Sequence, residues 1–184
     1  MDKSKKYGIN TRAIHTHKKF KLPTGDVMPP LHMSTTFENT KPGESEYFYG
    51  RMNNPTREIF ERTMASLEGV DDHEKLHGFA MASGMACVTM IAELIKPGEN
   101  VVITDEVYGG TTRFFTQIAT KRGIEVNFCN FNDTNKLKSL INENTKLVWI
   151  ESPSNPNINL YDMSSIAKIV HEKNSLLVAD STFS

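Results

Sequence analysis

From Leu76 onward, short apolar runs alternate with longer stretches of helical spacing, and this alternation restricts the possible folds more than any other feature. The runs L-H-G-F-A-M-A, N-V-V-I-T, I-E-V-N-F-C, K-L-V-W-I and S-L-L-V-A read as strands bounded by turn residues. Between them, G-M-A-C-V-T-M-I-A-E-L-I is apolar nearly all round and predicts a buried helix that K-P-G ends. Thr111 to Arg122 predicts a helix closed by Gly123, and D-T-N-K-L-K-S-L-I a short one. Met163 to Lys173 predicts a helix with Met163, Ile166, Ile169 and Val170 on one face. Such alternation predicts an α/β chain whose mostly parallel sheet carries helices on both faces.

Upstream, Asn54 is a cap candidate with Pro55 in the first helical position. Ile59, Phe60, Met64 and Leu67 follow on one face, and Gly69 is the stop. The first fifty residues hold only the punctuation of loops, such as P-T-G-D, M-P-P-L and T-K-P-G-E. So long an irregular segment more often wraps a neighbour or lines a site than floats free. We therefore divide the chain into an arm and loop segment, residues 1–53, and an α/β domain, residues 54–184. A length of 184 residues suits one sizeable core.

A net charge of -1 gives no electrostatic case for nucleic acid or an anionic membrane surface. No apolar run has the length of a membrane span, and M-D-K-S-K-K-Y-G lacks the apolar stretch of a secretory signal. Cys87 and Cys129 stand apart in apolar surroundings, as small hydrophobes of a reducing compartment, and the expected location is cytoplasmic. Cys87 has no base near it, which argues against a thiol nucleophile. His15-x-His17 has no carboxylate or cysteine at ligand spacing, so no metal is expected.

Parallel sheets bind ligands at the carboxyl ends of their strands, so the residues after each strand carry the functional argument. Ser83, Gly84 and Met85 open a helix and form a plausible phosphate cradle, although a tight strand-to-helix turn explains them equally well. Asp105 and Glu106 read as a carboxylate pair or, more simply, as solvated acids before a helix. Tyr108, ahead of two glycines, can stack on a planar ligand; taken singly it reads as a core tyrosine. Asn155 lies in the proline-fixed loop E-S-P-S-N-P-N, as an amide donor or part of a rigid turn. Asp180 ends an apolar strand, as a helix cap or as the counter-charge of a protonated ring nitrogen. Together they describe a flat, phosphorylated, cationic heteroaromatic ligand, a description that pyridoxal 5'-phosphate meets.

The motifs T-R-A-I-H, P-P-L-H-M-S-T-T-F, Y-G-R-M-N-N-P-T-R, A-S-G-M-A, V-Y-G-G-T, K-L-V-W-I-E-S-P-S-N-P and V-A-D-S-T-F occur in this order. The chain thereby resembles the amino half of the Cys/Met-metabolism pyridoxal-phosphate enzymes, the group of cystathionine gamma-lyase, cystathionine gamma-synthase and methionine gamma-lyase. The resemblance implies a truncated large domain of the aspartate-aminotransferase type (fold type I), assembled in full-length form as a dimer of dimers. It also implies carbon–sulfur lyase or transsulfuration chemistry, by gamma-elimination or gamma-replacement on small sulfur amino acids. By the resemblance, Ser83, Gly84 and Met85 hold the cofactor's phosphate through their amides, and Tyr108 stacks on its ring. Asn155 reaches the ring oxygen, Asp180 pairs with the pyridine nitrogen, and Thr182 lies beside it. Tyr49 and Arg51 reach into a neighbouring subunit and bind its phosphate, a role suited to the arginine fork.

Asn53 replaces the family's usual glycine, Thr16-His17 stands where a glycine is common, and D-S-T-F replaces D-N-T-F. The Schiff-base lysine of the family follows the D-x-T-F segment in an S-x-x-K motif, whereas the S-x-x-K here, Ser165 to Lys168, precedes it. Lys168 falls opposite the apolar stripe of its helix and is expected to be solvated. The expectation is a fragment without that lysine, inactive by itself. The alternative is a non-catalytic binding or interaction module derived from such an enzyme. A generic doubly wound nucleotide binder is disfavoured by the missing glycine fingerprint.

Overall fold

The computed structural model of the protein describes residues 7–16, 24–39, 41, 43–70 and 77–184. His17 and Leu76 lie outside them. The chain forms two compact units, Met1–Ala80 and Met81–Ser184.

In the first unit, helix α1 (Ile9–His15) interrupts the segment expected to be irregular. Helix α2 (Pro55–Leu67) begins as its sequence predicts. The Asn54 side chain accepts from the Thr56 and Arg57 amides, and Gly69 turns the chain with a φ of 89°. The expected apolar face is only partly realised. Ile59 is buried, but Phe60 and Met64 are exposed, and the helix buries Glu61 and Ser66 instead. The Glu61 carboxylate has a reason to be inside, because it accepts from the Ala80 amide at 2.8 Å.

The second unit is built on a sheet of β1 (Asn100–Thr104), β2 (Glu125–Cys129), β3 (Thr145–Glu151) and β4 (Leu176–Asp180). The strand order is β2-β1-β3-β4 and every pairing is parallel. Four of the five expected strands are present. The run after Leu76 forms none, and residues 77–81 carry no regular secondary structure. Strand β1 is buried along its whole length, because helices cover both sheet faces and neither needs polar residues. Val101, Ile103, Leu147 and Trp149 pack on one face with residues of α3 (Gly84–Ala92) and α4 (Gly109–Phe114). Val102, Val148 and Ile150 pack on the other with Leu137 of α5 (Thr134–Leu140) and Ile166 and Val170 of α6 (Met163–His171).

Helix α3 is less buried than its composition suggests: Val88 and Ala92 face the core, while Met90 is exposed. Helix α4 passes through a π turn, Phe115–Ala119, and a tighter turn, Thr120–Arg122, before Gly123 closes it with a φ of 78°. Lys168 on α6 is exposed, as its position opposite Ile166 and Val170 requires. Cys87 and Cys129 are free thiols. Burial pushes the Cys129 thiol up to about 11, with Asp105 adding to the rise, so it packs as a hydrophobe. Among the described residues, no helix is long and apolar enough to cross a membrane.

Candidate functional site

The sheet grows from β1 to β2 on one side and then to β3 on the other, so the order reverses between β1 and β3. Loops leaving adjacent strands in opposite directions open a crevice at the carboxyl edge, which is where doubly wound sheets take ligands. Tyr108 comes from the loop after β1, Asn155 from the loop after β3, and Asp180 from the end of β4. All three therefore reach the same edge.

Ser83 caps α3, its hydroxyl oxygen accepting from the Ala86 amide at 3.2 Å. Among the described residues the amides of Gly84 and Met85 donate to nothing, and a side chain added at Gly84 would meet only open space. Two free N–H groups at the start of a nine-residue helix form a fitting place for a phosphate. Met85 also borders Tyr108. A β-carbon placed on Gly110 would stand 2.9 Å from both the Met85 sulfur and Tyr108 Cδ1. Gly110 is thus the floor on which the Tyr108 ring lies. The ring is half exposed, with a face free for stacking.

At the other end of the crevice, Asp180 Oδ1 accepts from the Thr182 hydroxyl at 2.6 Å and from the Thr182 amide at 3.1 Å. Its second oxygen has no donor among the described residues, which leaves an oriented acceptor for a cationic N–H. The Asn155 side-chain amide is likewise uncommitted among the described residues. Free amides, an open aromatic face, a free side-chain donor and a half-satisfied carboxylate suit a phosphorylated pyridine, so these residues fit pyridoxal 5'-phosphate.

Tyr49 and Arg51 belong to the first unit. An antiparallel bridge between Thr36 and Tyr49 and the Gly50 amide bonded to Thr35 O at 2.8 Å fix their turn. Arg57 braces it through the Gly50 and Met52 carbonyls, at 3.0 and 2.7 Å. The Arg51 guanidinium lies 4.9 Å over the Tyr49 ring and stays exposed. Asn53, where a glycine was expected, donates through its side chain to Glu46 O and accepts from the Phe48 amide.

Sequence reading underrated two carboxylates. Glu106 is neither a solvated acid nor one of a pair with Asp105. It accepts from Ser154 Oγ at 2.8 Å, Asn157 Nδ2 at 2.8 Å and Asn159 Nδ2 at 2.5 Å, lacing the two crevice loops together. Chiefly the Asn157 bond, then those of Ser154 and Asn159, hold its carboxyl below the usual range. A depressed acid stabilises the fold above the ordinary carboxylate range and loses that contribution as pH falls through its folded value. In urea unfolding from pH 7 to pH 3, the advantage of the unsubstituted chain over Glu106→Gln is therefore expected to shrink on acidification.

The second is Glu151, the last residue of β3, which is 3% exposed. It accepts from the Tyr108 amide at 2.7 Å and pairs in register with Asp180 on β4. Burial raises its carboxyl most. The Tyr108 amide pulls it back, Asp180 adds to the rise and the Asn155 amide lowers it. A signal was present in K-L-V-W-I-E, where period two places Glu151 on the face of Leu147 and Trp149, a position that should be apolar.

A parallel α/β sheet whose switch-point edge brings together free helix-start amides, an exposed aromatic ring and a half-satisfied carboxylate suits a cofactor-binding class. The sequence pattern of the Cys/Met metabolism PLP-dependent enzymes matches residues 10–184, and the chain belongs to that family. It is 43% identical over 182 residues to a cystathionine beta-lyase of Coxiella burnetii, covering 98% of this chain and 46% of that protein. A solved cystathionine gamma-lyase from Lactobacillus plantarum, complexed with L-serine, superposes with a TM-score of 0.88 at 31% identity, covering 96% of this chain and 45% of that one. A methionine gamma lyase from Micromonospora echinospora superposes with a TM-score of 0.81 at 36% identity, covering 95% and 46%. The chain spans about half the length of the relatives it matches.

Proposed function

We propose that the chain supplies the cofactor-binding part of a cytoplasmic, homo-oligomeric enzyme that eliminates or replaces the gamma substituent of sulfur amino acids of the cystathionine, methionine and homoserine-derivative class. The observation that carries the reading is Asp180, held by Thr182 through one oxygen and open at the other, across the crevice from Tyr108. Pyridoxal 5'-phosphate, when bound, provides a ring that delocalises the electron pair left by the substrate's α proton. Asp180 favours a proton on the ring nitrogen, and Thr182 keeps the accepting oxygen in place. Ser83, Gly84 and Met85 bind the phosphate, Tyr108 covers the ring, and Asn155 donates to its oxygen. Tyr49 and Arg51, on the arm of residues 1–53, take the phosphate of a neighbouring subunit.

The test uses pyridoxine 5'-phosphate, a non-covalent analogue, labelled with 15N in the ring and titrated into the 184-residue chain. A protonated nitrogen with Asp180 and a neutral one in Asp180→Asn supports the reading. A neutral nitrogen in the unsubstituted complex sinks it. A second measurement addresses Tyr108. Gly110→Ala is expected to lift the ring off its floor and weaken binding of the analogue by about tenfold, the scale of one aromatic contact. Its melting temperature should change little, because the displaced ring already faces solvent.

A further inference from the structure

The β1–α4 loop turns inward to a carboxylate that none of the roles above uses. Glu151 sits where the alternation of β3 calls for an apolar residue, 3% exposed, beneath the crevice. A carboxylate in such a place costs far more than the aliphatic side chain it displaces unless something needs it. Among the described residues no lysine or arginine pairs with it, and its neighbour in register, Asp180, is another acid. What it holds is the backbone N–H of Tyr108, in the loop after β1, at 2.7 Å.

We propose that Glu151 is a positioning residue for the cofactor site: through the Tyr108 amide it fixes the stacking ring relative to Asp180, its neighbour in register. The proposal rests on the cofactor reading and adds to it the part that sets the geometry. A backbone amide is a rigid handle, so holding it fixes where the attached side chain starts. Standing at the end of β3, Glu151 thus joins the loop after β1 to the start of the loop after β3. Glu106 laces the same loops from the solvent side, through the Ser154, Asn157 and Asn159 side chains. Glu151 acts from within, and on Tyr108, the residue whose ring faces the ligand.

Glu151→Gln keeps the shape but removes the charge that strengthens the bond from the Tyr108 amide, so the loop loses its hold. Binding of pyridoxine 5'-phosphate, followed by Trp149 emission, is expected to weaken tenfold or more. Amide hydrogen exchange at Tyr108 should speed up by a similar factor while β1 stays protected. Glu151→Asp keeps the charge but retracts the oxygens by one methylene, and should show the same loss if the glutamine variant does not fold. Ile166→Val, in the core of the opposite face, serves as the stability control: it should lower the melting temperature and leave affinity unchanged. Wild-type affinity in both Glu151 variants overturns the proposal, as does an affinity loss in Ile166→Val that tracks its lowered melting temperature. If the unsubstituted chain does not bind the analogue, the cofactor reading itself falls, and the positioning role with it.

Discussion

Phe115→Ala is expected to cost about 3–5 kcal/mol of folding stability, the range for deleting a fully buried aromatic side chain. The ring has no exposed surface and sits at the start of the π turn that continues α4. It meets Phe114 and Trp149 edge-on, with centroids 5.4 and 5.8 Å away. Its removal leaves a void between α4 and the central strands, which the short π turn is poorly placed to collapse into. A loss of this size is a large part of the roughly 5–15 kcal/mol that keeps a domain folded. Urea unfolding reads it directly, because Trp149 is the one tryptophan and its emission shifts as the neighbouring ring disappears. A variant within about 1 kcal/mol of the parent would mean that Phe115 does not anchor α4 as described.

Gly78→Ala is the second large effect. A β-carbon there would stand 2.9 Å from the carbonyl carbon of Glu61 and closer still to its oxygen. The obstacle is the backbone of α2, so no rotamer change relieves it, and the segment carrying Ala80 has to move. The hydrogen bond from the Ala80 N–H to the buried Glu61 carboxylate then breaks and leaves an acid inside without that donor. Overpacking alone costs about 1–3 kcal/mol, and the lost bond brings the expectation to about 3 kcal/mol or more. Hydrogen exchange should find the damage in α2, within the first unit. Equal protection of α2 in parent and variant would refute the close approach.

Where the sequence was read correctly, period and punctuation agreed. N-V-V-I-T, I-E-V-N-F-C, K-L-V-W-I and S-L-L-V-A form strands because each is short, apolar and bracketed by turns. Asn54-Pro55 starts a helix because cap and ring stereochemistry act within a few residues. The failures lie where tertiary contacts override local pattern. L-H-G-F-A-M-A has a strand's composition, yet its backbone goes to α2, through the Ala80 amide, in place of a ladder. Phe60 and Met64 follow the helical period but remain exposed, because the buried side of α2 is set by what Glu61 binds. The candidate ligand groups at the strand ends were all named from position. From sequence Glu106 reads only as a paired or solvated acid and Glu151 has no role, because their partners are side chains and an amide more than forty residues away in sequence.

The two rims of the sheet differ in how they meet another chain. Along β2 stand Glu125 and Asn127, joined side chain to side chain at 2.9 Å, and such polar groups discourage a newcomer. The opposite rim, β4, reads Leu-Leu-Val-Ala, with Leu176 and Ala179 exposed and, among the described residues, no strand beyond it. Its outer amides and carbonyls are a bare template flanked by hydrocarbon. Lengthening of this sheet is therefore directional: a further strand finds a welcoming border beside β4 and a guarded one beside β2.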